Sequence, residues 1–131
     1  MSKTVWIHHG PFPGWSAFVP NEKSWKKLMV KLDAVDEPYP KKDACITTFF
    51  DTPEGRVTVL TVGEHLDNSR NKLRLTALIA HEVQHLWQGI KENVGEKQAS
   101  SECEAYMIQW LLTQALEAFE DTRFKLFKGK N

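Results

Sequence analysis

Cysteine is scarce in this chain: Cys45 and Cys103 are the only two, far apart in sequence. Two isolated thiols provide neither a disulfide framework nor a cysteine-rich metal knuckle, and they are most simply read as reduced thiols in a reducing compartment. Long apolar runs are also missing. No stretch approaches the roughly eighteen residues needed to span a bilayer, and Met1-Ser2-Lys3-Thr4 does not lead into the apolar segment of a signal peptide. No membrane partner is therefore expected, and a cytoplasmic location is. An excess of either charge is absent as well. Lys and Arg number 17 and Asp and Glu number 17, a balance that argues against electrostatic capture by nucleic acid or an acidic membrane. Repeats and low-complexity segments are lacking. At 131 residues one domain with one ordinary core is expected.

Proline and glycine are missing from one long stretch, Arg70 to Gln88. Within and just beyond it, Leu75, Leu78, Ile79, Val83, Leu86 and Ile90 fall on one stripe at helical spacing. Asp67-Asn68-Ser69 offers N-cap residues, and Gly89 offers a stop. The stretch contains His81-Glu82-Val83-Gln84-His85, a match to H-E-x-x-H, which is a zinc metalloprotease signature. On a helix, residues four apart lie about 40° apart around the axis, so the His81 and His85 imidazoles can reach one ion. Glu82 lies beside that ion rather than on it. There it can deprotonate a water whose pKa zinc lowers to about 7. Random placement yields this pentapeptide in roughly one or two of a hundred chains of this composition, so its surroundings have to carry the inference.

A catalytic zinc site needs a third protein ligand and an open position. The metzincin extension would require Gly and His where Gln88 and Lys91 stand, so it is excluded. A glutamate from a following helix is the alternative. Ser100 and Ser101 can cap a helix from Glu102 to about Glu120, with Cys103, Met107, Trp110, Leu111 and Phe119 on its apolar side. Glu102 and Glu104 are both candidates. They stand about 200° apart on a helix, so only one can face the metal. Acidic residues also favour a first turn for its dipole alone.

The run Leu75 to His85, followed by Glu102-Cys103-Glu104-Ala105-Tyr106, resembles small gluzincin-type zincins. H-E-x-x-H with E-x-x-A-[YN] shortly downstream is similar to the ImmA/IrrE-type peptidases, and closer still to small zincin-like proteins carried by phages and prophages. The likeness covers about residues 70–116. It implies a zincin-like α+β fold, with a small antiparallel or mixed sheet packed on an active-site helix and a following ligand helix. It implies zinc held by His81, His85 and Glu102, and a setting in a phage-infected or lysogenic bacterium. Many gluzincins carry Asp four residues after the ligand glutamate; Tyr106 stands there instead, so support for the ligands must come from elsewhere.

The remaining sequence reads as the supporting half, residues 1–66, before metal-binding helices over 67–120 and a basic tail over 121–131. Val5-Trp6-Ile7 reads as a short strand, followed by a Pro- and Gly-rich loop around Pro11-Phe12-Pro13-Gly14-Trp15. A helix is expected from Asn21 to about Leu32, with Trp25, Leu28, Met29 and Leu32 on one side and Lys23, Lys27 and Lys31 on another. That lysine stripe reads as a solvated face. Cys45–Phe50 and Arg56–Val62 alternate as strands and form a hairpin about Asp51-Thr52-Pro53-Glu54-Gly55. In zincins an edge strand before the metal helix pairs with extended substrate, and Val57–Gly63 is the candidate here, with Val57, Val59, Thr61 and Gly63 as substrate-binding positions.

The expected activity is therefore hydrolysis of a peptide bond in a protein or peptide, with zinc as cofactor and Glu82 as general base. Tyr106 is the leading candidate for an oxyanion donor, ahead of His65, His8 and His9. A non-catalytic zincin-like binding protein is the alternative; the intact Glu82 speaks for catalysis. Arg123, Lys125, Lys128 and Lys130 read as a solvated tail rather than a nucleic-acid arm.

Overall fold

The computed structural model describes residues 3–40, 44–63, 66, 72–94 and 100–127. Seven elements follow one another: β1 (Val5–Ile7), β2 (Trp15–Val19), α1 (Glu22–Lys31), β3 (Cys45–Thr52), β4 (Gly55–Val62), α2 (Lys72–Asn93) and α3 (Ser101–Thr122). The strands form one mixed sheet in the order β1-β2-β4-β3. β2 and β4 run parallel, Ala17 opposite Val59. β1 pairs antiparallel with β2, and β3 antiparallel with β4. The class is α+β, as expected. Among the described residues no helix is long and apolar enough to cross a membrane.

Alternation along the strands divides the interior into two layers. Phe18, Leu60 and Val62 face α2 and α3, packing with Ile79, Val83, Leu86, Leu111 and Phe119. Ala17, Val19, Val57 and Val59 face the opposite way, onto Trp25, Leu28 and Met29 of α1. α1 begins where Asn21 accepts a hydrogen bond from the Ser24 amide at 2.9 Å. α3 begins where Ser100 accepts one from the Cys103 amide at 3.2 Å. Both are ordinary side-chain N-caps, and the second places the start of α3 within two residues of its expected position.

β2 is not among the strands expected from sequence. Its residues Ser16 to Val19 are buried on both faces, so they form a short apolar run instead of an alternating one, with Pro13-Gly14 and Pro20 crowding its ends. Its partner β4 is consequently interior. Both edges of β4 are hydrogen-bonded, to β2 and to β3, so Val57, Val59, Thr61 and Gly63 cannot take an added peptide strand. All four are buried. The open edge next to α2 belongs to β3.

Gly89 reads in sequence as a helix stop, yet α2 continues four residues past it. A Cβ at Gly89 would stand 2.2 Å from Cε1 of Phe49, so glycine is there to let β3 approach the helix. The C-terminal segment differs from a solvated tail. Arg123 donates to the carbonyls of Val62 at 2.7 Å, Gly63 at 3.0 Å and Pro20 at 3.2 Å, closing carbonyls at the ends of β2 and β4. Leu126 is buried beneath it, whereas Lys125 is exposed. Lys128 and Lys130 lie outside the described residues, as do the proposed caps Asp67-Asn68-Ser69. In α3, Cys103 and Trp110 are exposed rather than apolar contacts, while Trp87 joins the core of α2 unannounced.

Gly89→Ala is expected to destabilise the fold by about 1–3 kcal/mol, because overpacking against Phe49 outweighs the gain in helix propensity of about 1 kcal/mol. Chemical denaturation of the two proteins checks this, and Gly89→Ala combined with Phe49→Ala should recover part of the loss.

Candidate metal centre

α2 follows the β3–β4 hairpin closely. Glu82 lies at Thr47 and Gly89 at Phe49, while Glu92 reaches Arg56 at 3.7 Å. Because Glu82 faces β3, its carboxylate would be buried without a donor were it not for Thr47. The Thr47 hydroxyl lies 2.8 Å from Glu82 Oε1, where it donates, and 3.1 Å from the Glu82 backbone carbonyl. The side chain of Glu82 is 12% exposed against 65% for His81. The second carboxylate oxygen, Oε2, stands 3.7 Å from His81 Nε2.

His81 and His85 project from the adjoining, solvent-facing side of α2. Their Nε2 atoms are 3.2 Å apart, and the rings meet nearly edge to face at 77°. Gln88 Oε1 lies 3.0 Å from His85 Nδ1, which fixes that ring with Nδ1–H donating and Nε2 turned to His81. A partner of this kind on the remote nitrogen is how ligand histidines are oriented. Each of His81, Glu82 and His85 presents one ligand-capable atom within 4.8 Å of the other two.

The elements that the sequence enlisted from α3 lie elsewhere. Glu104 accepts from Trp87 Nε1 and from Lys91 Nζ, both at 2.8 Å. The Lys91 ammonium, then the Trp87 indole, hold the Glu104 carboxyl below the usual carboxylate range. Trp87 and Lys91 project about 200° and 240° around α2 from His85, so α3 lies along the flank opposite the histidine pair. Glu102 is exposed, about 200° around α3 from Glu104, and it does not join the group. Tyr106, 66% exposed, lies about 40° around α3 from Glu102, on the side away from Glu104.

The other histidines have separate settings. The backbone of His8 exchanges two hydrogen bonds with the Gln114 side chain. His9 is buried against Ser16, with Nε2 on the Ser16 hydroxyl and Nδ1 toward the Pro13 carbonyl. His65 lies outside the described residues. Cys45 lies near Glu82; burial first, and the Glu82 carboxylate second, push its thiol up to about 12, so it offers no thiolate at neutral pH. Thr47, the hydrogen-bond partner of Glu82, is not among the residues singled out from sequence, and only its alternation with Cys45 and Phe49 toward the α2 side hints at it.

Comparison with protein-family models, with curated proteins and with solved structures gives no match.

Burial lowers the His9 pKa below its ordinary value of 6.5, opposed by the Pro13 carbonyl and assisted by His8. A base whose folded pKa is depressed stabilises the fold while neutral, above its unfolded pKa. That contribution is lost as pH falls below about 6.5 toward the folded value. His9→Gln is therefore expected to flatten the decline of thermal midpoint between neutral and mildly acidic pH, measured against wild type in matched buffers.

Proposed function

We propose that this chain is a zinc-dependent hydrolase of peptide bonds, with His81 and His85 as metal ligands and Glu82 as general base. One observation carries the reading: two imidazole nitrogens 3.2 Å apart on an exposed helix face, beside a carboxylate that Thr47 holds by one oxygen. Two nitrogens on a tetrahedral zinc at about 2.0–2.1 Å stand roughly 3.3–3.4 Å apart, so the pair fits the ion as it stands. Zinc bound there would polarise a carbonyl and lower the pKa of water. The chain's own part is proton transfer. Thr47 occupies Oε1, which leaves Oε2 to accept a proton from the attacking water and deliver it to the leaving amine.

The assignment of an extended peptide substrate moves with the sheet. β4 is closed on both sides, so the open edge of β3, Cys45–Thr52, is the strand that runs past Glu82 and can pair with substrate backbone. A third ligand from α3, which the resemblance puts at Glu102, requires that helix to present a different face. One observation favours a second reading, a metal-binding protein without turnover: Glu102 is not among the residues grouped with the histidine pair.

Zinc titration is expected to give one ion per chain, lost in His81→Ala and in His85→Ala and kept in Glu102→Ala. Loss of zinc in Glu102→Ala would assign it the third position that the resemblance implies. An unchanged stoichiometry in both histidine variants would end the metal assignment.

Glu82→Gln keeps size and the Thr47 contact but removes the base. Zinc occupancy should survive while hydrolysis of a peptide library, per bound zinc, falls by about two orders of magnitude or more. Thr47→Val should lower turnover less, with zinc retained. Turnover in Glu82→Gln equal to wild type would exclude Glu82 as base, and no turnover in any zinc-loaded form would favour the binding protein.

A further inference from the structure

The histidine pair leaves the other face of the molecule unexplained. There β1 and α1 enclose a cleft of about 510 Å³ lined by Lys3, Trp6, Lys23, Lys27 and Lys31, with no acidic residue among the described residues of its wall. The four lysines are exposed, and Lys23, Lys27 and Lys31 make no ion pair with a described residue; the neighbouring Lys26 is the one that pairs, with Glu22 at 3.7 Å. A net charge of zero therefore conceals a local segregation of charge. At 1.5 Å per residue these three lysines climb α1 in steps of about 6 Å, a row suited to successive anionic groups rather than to a single one.

Trp6 forms the far wall of the cleft. It lies opposite Ala17 in the β1–β2 pairing, on the sheet face that carries α1, but the ten-residue helix does not cover it. The indole is 43% exposed. A second cleft of about 570 Å³ continues beyond it, bounded by Trp15, which is 46% exposed, together with Asp33 and Glu54. The ring of Trp15 is set by Gly55, where a Cβ would stand 3.1 Å from Trp15 Cζ3. Trp6 and Trp15 both line this second cleft and each leaves close to half of its surface open to solvent, presenting flat apolar faces with a polar N–H edge.

We propose that this face binds single-stranded nucleic acid, with backbone phosphates along Lys23, Lys27 and Lys31 and bases stacked on Trp6 and Trp15. The combination of a cationic row and neighbouring aromatic faces is how such strands are held without sequence preference. Lys31 stands between the two clefts, lining the second one together with Asp33 and Glu54; the two carboxylates outnumber it there, which favours an uncharged base against Trp15 and the backbone along Lys23 and Lys27. Duplex DNA offers no free base faces to the indoles, and an acidic peptide offers charge without rings. The inference is independent of the metal site, which lies across the sheet.

Fluorescence anisotropy of a short labelled oligothymidylate with the full-length protein at low salt tests it, with the matching duplex and poly-glutamate as comparisons. Saturable binding of the single strand with quenching of tryptophan emission is expected, the duplex and poly-glutamate binding at least tenfold more weakly. Trp6→Ala should lose about tenfold in affinity, and Trp6→Phe should recover most of it. Lys23→Gln/Lys27→Gln/Lys31→Gln should flatten the logarithmic salt dependence by about two, from roughly 0.7 per phosphate contact. All four positions are exposed, and circular dichroism confirms folding of each variant. His81→Ala should bind the oligonucleotide like wild type, which separates this site from the metal centre. Absence of binding at low salt would overturn the proposal. Affinity unchanged in both the tryptophan and lysine variants, or duplex or poly-glutamate binding as tightly as single strand, would do so too.

Discussion

The close approach of α2 to β3 is the constraint from which the rest follows. It exists because position 89 has no Cβ and the Phe49 ring takes that space. A helix so near a strand would ordinarily bury apolar side chains along the whole contact. Here it buries a carboxylate at Glu82, which is tolerable only because the Thr47 hydroxyl points at it. Packing and polar satisfaction are thus supplied by alternate residues of one strand, two positions apart. Moving β3 by one residue would turn both away and strand the carboxylate.

That contact also fixes the direction of the histidines. With Glu82 and Gly89 against β3 and Trp87 and Lys91 against α3, the flank of α2 that carries His81 and His85 is left exposed among the described residues. Their exposure is a consequence of helix geometry once the sides toward β3 and α3 are occupied. The same packing places the open edge of β3, rather than β4, next to the pair. Arg123 serves the far end of the sheet by capping carbonyls at the ends of β2 and β4, so the chain's last helix ties down the strands that support β3.

The two faces of the sheet differ in how they are covered. Two long helices cover one face and bury most of its apolar surface. A ten-residue helix covers part of the other, leaving Trp6 and Trp15 beside a row of lysines. Charge balance over the whole chain gives no sign of this, because composition averages over faces that never meet. The sequence places Trp25 on an apolar helix side, but Trp6 and Trp15, which are surface, lie in or at the start of strands too short for alternation to set their exposure.

Local pattern determined what depends on near neighbours. The helical stripe from Leu75 to Ile90, the Ser100 cap, the β3–β4 hairpin and the proximity of His81, Glu82 and His85 all arise within a few residues or one turn. They were legible because 3.6-residue and two-residue periods act locally. Tertiary structure decided everything that depends on which element sits next to which. It made Gly89 a packing position instead of a helix stop, inserted β2 beside β4 and so closed the strand expected to receive substrate, and gave Glu82 its partner in Thr47, thirty-five residues away in sequence. It also turned the first turn of α3 to Trp87 and Lys91 through Glu104, leaving Glu102 outside. Spacing fixes how far a side chain lies around its own helix axis; only the packing of helices and strands determines what that direction meets.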